Sequence, residues 1–175
     1  MCGRYYVDVS NDDLSFLSNY GEIQYEQNFN VAPQTKAPCI IDNNLVVANW
    51  GYFPDWLKKQ SNPRPLFNTR HESLLEKKTF TSAFNNSRCL IPITGWYEWR
   101  EEEGVKQPYF FFSNSQKILF AAGLFWNRSS GDIETSIITR EAVTELQTIH
   151  SRSPLLLTPK QKDFWISEAP SEDIY

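Results

Sequence analysis

Short runs of β-branched and aromatic residues, separated by turn residues, most limit what this chain can fold into. The ten prolines and the scattered glycines interrupt the apolar segments before a long helix can form. The sequence therefore predicts an α+β fold, with residues 1–175 in one domain built on a strongly curved, mostly antiparallel, barrel-like sheet with peripheral helices. Strands are predicted at RYYVDV, APCII, LVVANW, RCLIPITGWYEWR, QPYFFF, KILFAAGLFW and IETSIIT.

Turn and cap residues organise these strands. APCII, DNN and LVVANW predict a hairpin, and Pro92 and Gly95 are expected to break the strand segment that contains them. The acidic turn EEEG leads into QPYFFF, which is expected to pair with KILFAAGLFW in antiparallel fashion. Helices are predicted at residues 10–20, 79–86 and 141–149, and after Thr158, which is followed by Pro159 at the first helical position.

The three cysteines, Cys2, Cys39 and Cys89, are odd in number and widely spaced. They argue against a disulfide framework or a zinc site and indicate a reducing compartment, the cytoplasm (at the nucleoid in a bacterium, or the nucleus in a eukaryote). No apolar run approaches the roughly 20 residues of a membrane span. The start MCGRYYVDVS lacks the apolar core of a secretory signal, so no membrane association is expected.

The charge distribution leaves two interpretations open. The net charge of −4 does not by itself indicate a nucleic-acid-binding protein. Residues 55–90, however, contain seven basic and three acidic side chains. This segment is either a solvated basic face or a local phosphate-binding groove on an otherwise acidic protein.

Cys2 follows the initiator methionine, and a small second residue favours removal of that methionine. Cys2 would then carry a free α-amine beside its thiol, with unperturbed pKa values of about 7.7–8.0 and about 8.5. Usable fractions of both nucleophiles would exist at neutral pH, and together they can condense with an aldehyde to a thiazolidine. The alternative is that Cys2 simply begins a strand.

Four stretches place reactive residues in loops or at strand ends: CGR at 2–4, FNTRHES at 67–73, GWYEW at 95–99 and IHSRSP at 149–154. Each has a structural alternative. Glu98 can be solvent-exposed opposite Trp99, and His150 can be a favourable charge after a helix. Asn68 can be a turn residue, Arg70 and Arg152 can form surface ion pairs, and Trp50, Trp56, Trp96, Trp99 and Trp126 can be core aromatics.

Seven motifs nevertheless occur in the order and approximate spacing of the SRAP domain, the family named for SOS-response-associated peptidases. The resemblance extends from Cys2 to about Ile166. The motifs are CGR, NVAP at 30–33, WGYFPDW at 50–56, FNTRHES, RCLIPITGWYEW at 88–99, AAGLFW at 121–126 and IHSRSPLLL at 149–157.

The resemblance implies an enzyme that caps abasic sites in single-stranded DNA as a covalent crosslink through Cys2. The Cys2 amine would form a Schiff base with the ring-opened sugar, and the thiol would close a thiazolidine. Asn68, Glu98 and His150 would assist, with Glu98 and His150 moving protons. The resemblance further implies DNA contacts from Arg4, Pro33, Trp56, Arg70 and Arg152.

Two departures from the family pattern affect the implied base contacts. Leu57 stands where some relatives carry a second tryptophan, and the segment KKQSNPRP at 58–65 looks longer than theirs. The resemblance implies no metal or organic cofactor, and neither histidine is spaced as a metal ligand. A monomer acting on single-stranded DNA that contains abasic sites is expected.

Two other functions remain open at this stage. An amino-terminal-nucleophile peptidase or amidase would use the Cys2 thiol against an amide and could remove its own first residue. A non-covalent binder of single-stranded DNA would use Arg70, Arg152 and the aromatic residues without any need for Cys2.

The crosslinking chemistry requires loss of Met1, because only then is the α-amine adjacent to the Cys2 thiol. We expect the intact mass of the purified protein to be one methionine residue below that of the full sequence. A Cys2→Lys variant should retain Met1 and serves as the control. Retention of Met1 in the wild-type protein would contradict the assignment of Cys2.

Overall fold

The β-branched and aromatic segments form strands in the structure, a computed structural model that describes residues 2–9, 17 and 19–167. Within these residues the strands are β1 (Arg4–Val7), β2 (Asn28–Val31), β3 (Lys36–Ile41), β4 (Asn44–Trp50), β5 (Asn68–Arg70), β6 (Arg88–Ile93), β7 (Gly95–Glu102), β8 (Val105–Phe112), β9 (Leu119–Asn127), β10 (Ile133–Glu141), β11 (Arg152–Pro154) and β12 (Leu156–Leu157). The α-helices are α1 (Asp55–Lys58), α2 (Lys78–Asn86), α3 (Thr144–Gln147) and α4 (Pro159–Trp165).

Five strands close into a barrel in the order β10, β4, β3, β6, β9, because β9 pairs again with β10. Four of these five pairings are antiparallel, and β4 runs parallel to β10 with Trp50 opposite Thr135. β5, β11 and β12 add to the barrel, and helices lie at its periphery. The predicted α+β class and the mostly antiparallel, barrel-like sheet are confirmed.

A second, four-stranded antiparallel sheet has the order β2, β1, β7, β8. β1 begins two residues after Cys2, so the register of this sheet determines what surrounds the amino-terminal cysteine. Arg4 lies opposite Tyr97 and Tyr5 lies opposite Trp96.

The barrel strands are buried on both faces, which explains their nearly continuous apolar runs. In β3, Cys39 and Ile41 belong to one hydrophobic cluster, which includes Cys2 and Trp50. Ile40, between them, belongs to a second cluster that contains the buried side chains of α2 and α4. α2 and α4 therefore cover the outside of the barrel, and the site described below is built on the other cluster.

Two-residue hairpin loops hold the register of both sheets. Asp42 and Asn43, between β3 and β4, have φ of 49° and 60°, as a type I′ turn requires. Glu103 and Gly104 do the same between β7 and β8, with φ of 50° and 79°. The hairpin predicted at DNN is confirmed, whereas the acidic turn is shorter than predicted because its first two glutamates belong to β7.

Pro92 does not break its strand, contrary to expectation. It lies within β6 opposite Phe120, and the interruption falls at Thr94. β3 pairs with β6 only at Ile40 and Leu90, so one side of β6 has no ladder partner at Pro92. A missing amide is tolerated where a strand is unpaired on one side.

The predicted pairing of QPYFFF with KILFAAGLFW is wrong. β8 pairs with β7 at the edge of the four-stranded sheet, whereas β9 pairs with β6, β10 and β12 in the barrel. The loop between β8 and β9 carries the chain from one sheet to the other. The hydrophobic pattern predicted both strands, but it did not reveal that the chain passes from one sheet to the other between them.

The helices predicted at 79–86 and 141–149 correspond to α2 and the shorter α3, and α4 has the predicted Thr158 cap. The helix predicted at 10–20 falls largely outside the described residues, as does the end of the chain from residue 168. Across residues 2–9, 17 and 19–167, no helix is long and apolar enough to span a membrane.

A substitution at Gly123 can test how closely the barrel wall is packed. It lies opposite Cys89, and a Cβ atom there would come within 2.9 Å of the Cys89 Sγ and of Ile91 Cδ1. We expect Gly123→Ala to lower the free energy of unfolding by about 1–3 kcal/mol through overpacking. Urea denaturation measures this change. Gly104→Asn is the control, since it has an open surrounding and a φ that asparagine tolerates.

Candidate active site

Cys2 lies between the two sheets, close to β5 and β7. Because β1 is antiparallel to β7 with Arg4 opposite Tyr97, the residues before β1 run alongside Glu98. Asn68 Nδ2 donates a hydrogen bond to the Cys2 carbonyl oxygen at 2.7 Å. Asn68 Oδ1 is buried and accepts no hydrogen bond from the described residues. The structure thus brings Asn68 next to Cys2.

The Cys2 side chain is fully buried, and its Sγ donates to the Arg4 carbonyl oxygen at 3.8 Å. Burial, followed by the charge of Glu98, raises the pKa of the Cys2 thiol far above its ordinary value. This direction makes the thiolate fraction smaller than the unperturbed pKa implies, so a nearby base would assist the reaction of the thiol.

Glu98 faces the interior, with an exposed fraction of only 2%, while the next residue, Trp99, is 37% exposed. The solvent-facing alternative for Glu98 is wrong, because β7 alternates in the opposite sense. Burial raises the pKa of the Glu98 carboxyl. Glu98 can therefore hold or release a proton nearer to neutral pH than an exposed glutamate.

His150 faces Glu98 across the site, with 3.9 Å between His150 Nε2 and Glu98 Oε2. His150 Nδ1 lies 2.9 Å from the Arg152 main-chain nitrogen, whose N–H can donate to it, and 3.3 Å from the Arg152 carbonyl oxygen, to which a protonated Nδ1 could donate. The shorter contact favours the neutral ring with its proton on Nε2. Burial lowers the pKa of His150, which favours this neutral form. The 3.9 Å separation is too long for a direct hydrogen bond, leaving space for a group of the substrate or a water molecule.

Glu98 and His150 line an open cavity of about 520 Å³ together with Trp99, Glu101 and Lys106. Sequence reasoning missed Lys106 as a residue of the site. Only the register of the β7–β8 hairpin, which places Lys106 opposite Glu101, brings it to this position.

Arg70 and Arg152 converge on the same point of β10. Arg70 lies opposite Thr139 in the parallel β5–β10 pairing, and Arg152 Nη2 donates to the Thr139 carbonyl oxygen at 2.6 Å. Arg70 is exposed, whereas Arg152 makes a bidentate ion pair with Glu72 at 2.7 and 2.9 Å. The ion-pair alternative is thus confirmed for Arg152, and Glu72 is a partner that the sequence did not reveal.

The remaining predicted DNA contacts lie on other elements. Arg4 shares the face of its cross-strand partner Tyr97, opposite to that of Glu98, and its guanidinium donates to the Gly3 carbonyl oxygen at 2.9 Å. Trp56, on α1, is 53% exposed. Pro33 lies in the short link between β2 and β3. The geometry does not test these three contacts, which stay predictions.

Trp50 and Trp96 are buried, as core aromatics should be, and the half-buried Trp126 stacks on Tyr52 and packs against the second hydrophobic cluster. The core interpretation is wrong for the exposed Trp56 and Trp99. Among the basic residues at 55–90, Arg88 is committed to structure, because it donates to main-chain carbonyl groups of α2 and of the α4 end. Within the described part of the chain, no cluster of three or more His, Cys, Asp or Glu could hold a metal ion.

Cys2, Glu98 and His150 thus form a candidate site at the side of a closed barrel. Residues 1–174 match the family described as SOS response associated peptidase (SRAP), and the chain belongs to this family. It is 29% identical over 188 residues to YoqW of Bacillus subtilis, covering 100% of this chain and 84% of that protein.

YedK of Escherichia coli is 31% identical over 182 residues, covering 96% of this chain and 80% of that protein. YoqW and YedK are both named abasic site processing proteins. A crystal structure of a protein from Bacteroides thetaiotaomicron superposes with a TM-score of 0.83 at 24% identity, over 99% of this chain and 84% of that one. This likeness shows the shared fold.

The buried carboxyl of Glu98 should reduce stability at neutral pH. The pKa of this carboxyl in the folded state lies above the unfolded value of about 4.3. The wild-type protein therefore loses stability as the pH rises from the unfolded pKa to the folded pKa. We expect Glu98→Gln to be more stable than wild type near pH 7.5, with the difference vanishing below about pH 4. Urea denaturation at both pH values measures it. Glu76→Gln, at an exposed position, should show no such pH dependence.

Proposed function

We propose that this protein processes abasic sites in single-stranded DNA by forming a covalent thiazolidine crosslink through Cys2. The names of the relatives support the abasic-site part of the proposal. The observation that carries the chemistry is the hydrogen bond from Asn68 to the Cys2 carbonyl, because it holds the amino-terminal cysteine beside the cavity of Glu98 and His150.

The first step is formation of a Schiff base. An abasic sugar is a cyclic hemiacetal that opens to a C1′ aldehyde when its ring oxygen gains a proton and its hydroxyl loses one. Glu98, with its raised pKa, can donate the first proton, and His150 can help move the second. After loss of Met1, the Cys2 amine attacks C1′ and water leaves. The unpartnered Asn68 Oδ1 can accept a hydrogen bond from the resulting N–H.

The second step closes the ring. The Cys2 sulfur bonds to C1′, and the thiol proton is transferred by way of the Glu98 carboxylate to the former imine nitrogen. C1′ becomes tetrahedral, so the electron sink that would promote β-elimination at the 3′ phosphate disappears. The strand therefore stays intact while the lesion is covered.

The protonated thiol favours crosslinking over the peptidase alternative. An amide is a weak electrophile and requires a thiolate, which burial of Cys2 suppresses. A protonated imine is a far stronger electrophile and can react as the adjacent carboxylate removes the thiol proton. The neighbouring groups thus match the two-step aldehyde reaction better than amide hydrolysis.

A few side chains are available to bind the DNA on either side of the lesion. Arg70 is exposed next to Asn68, where its guanidinium can bind a phosphate, and the exposed indole of Trp56 can stack on a base. Arg4, Pro33 and Arg152 complete the proposed contacts. With a net charge of −4, general DNA affinity should be modest, and selectivity comes from the covalent bond.

A denaturing gel tests the proposal. Wild-type protein mixed with single-stranded DNA carrying one abasic site should give a slow covalent band, and Glu98→Gln should form it roughly 100-fold more slowly. Cys2→Ala should give no stable band but more strand cleavage, because its α-amine still forms the Schiff base. Cys39→Ala, which keeps both nucleophiles of Cys2, is the control. Equal crosslinking by Cys2→Ala would refute the role of Cys2.

A further inference from the structure

Glu72 lies outside the cavity but connects to it through two residues. Its carboxylate accepts two parallel hydrogen bonds from the Arg152 guanidinium, at 2.7 and 2.9 Å. The main-chain N–H of Arg152 in turn donates to His150 Nδ1 at 2.9 Å. Glu72 follows β5 in a 3-10 turn, whereas Arg152 begins β11, so the ion pair joins two segments 80 residues apart.

We propose that Glu72 is a positioning residue that holds Arg152 in place and thereby sets the ring orientation and tautomer of His150. This inference rests on the proposed function, because it assigns His150 a role in moving protons. It adds a residue that makes no contact with the reacting atoms and acts through the segment between His150 and β11.

The surroundings of Arg152 explain why one carboxylate has this effect. The Arg152 side chain is only 15% exposed, and its Nε finds no hydrogen-bond partner among the described residues. Besides Glu72, the guanidinium contacts only uncharged oxygen atoms, those of Thr139. Removing Glu72 would leave a mostly buried cation without a counter-ion, which is strongly unfavourable. The guanidinium would then turn toward solvent and displace the main chain at Arg152.

The arrangement also fits the predicted phosphate contact of Arg152. The bidentate pair uses one hydrogen of Nη1 and leaves the second available. Glu72 therefore fixes the direction in which Arg152 can present this donor. Phosphate binding and control of His150 are compatible roles of one oriented side chain.

The tautomer of His150 can be measured without DNA. The sequence contains two histidines, His71 and His150, so ¹⁵N chemical shifts of the imidazole rings can be assigned with a His71→Gln variant. In the wild-type protein we expect the neutral ring of His150 to be protonated on Nε2. Glu72→Ala should give a mixture of both tautomers, whereas Glu72→Gln, which keeps one acceptor oxygen, should preserve most of the wild-type pattern.

Crosslinking kinetics provide the second measurement. At saturating DNA, where a weaker phosphate contact of Arg152 does not limit the rate, Glu72→Ala should slow crosslinking about tenfold in the wild-type background. It should have no further effect in a His150→Gln background, since both changes act on the reaction through one group. Glu76→Ala, which removes an exposed carboxylate four residues away, should change neither the rate nor the tautomer. Dispersed amide spectra establish that each variant is folded.

The outcomes separate this inference from the proposed function. An unchanged His150 tautomer in folded Glu72→Ala, or an equal slowing by Glu72→Ala with and without His150, would overturn the positioning role. Absence of any crosslink with the wild-type protein would instead refute the proposed function, while the tautomer measurement would still decide whether Glu72 orients His150.

Discussion

The pairing of β10 with four other strands is the constraint on which the remaining structure depends. Its first half pairs with β4 and β9 and closes the barrel. Its second half pairs with β5 and β11. These two short strands carry Asn68 and Arg152, and His150 lies just before the second of them. β10 therefore both closes the barrel and brings together the segments that carry the candidate site.

Burial shifts the pKa values of all three titratable groups of the site. It raises the pKa of the Cys2 thiol and of the Glu98 carboxyl, and it lowers the pKa of His150. Each shift favours the uncharged form of its group. The unfavourable free energy of an isolated charge in a poorly solvated space accounts for the direction of all three shifts.

Local signals in the sequence predicted the strands, the two-residue turn at Asp42 and Asn43, the cap at Thr158 and the resemblance that identified the site residues. Contacts between segments that are far apart in the sequence could not be predicted. The prediction that Pro92 breaks its strand is wrong because β6 has no ladder partner on one side at Pro92. The sequence does not reveal this, since it depends on where β3 stops pairing with β6. Glu72 and Lys106 join the site through tertiary packing and hairpin register. Burial of Cys2, which raises the pKa of its thiol, likewise depends on both sheets.

Barrel closure has a consequence for the order of events during synthesis. Thr135 Oγ1 donates to the Asn49 carbonyl across 86 positions of sequence, and such distant contacts form slowly. Cys2 leaves the ribosome first, yet Glu98 and His150 arrive only after most of the chain has been made. During synthesis Cys2 is therefore present for some time without Glu98 and His150. If the proposed function holds, crosslinking ability would be reached only when folding is complete, so folding would set the time at which the protein becomes reactive.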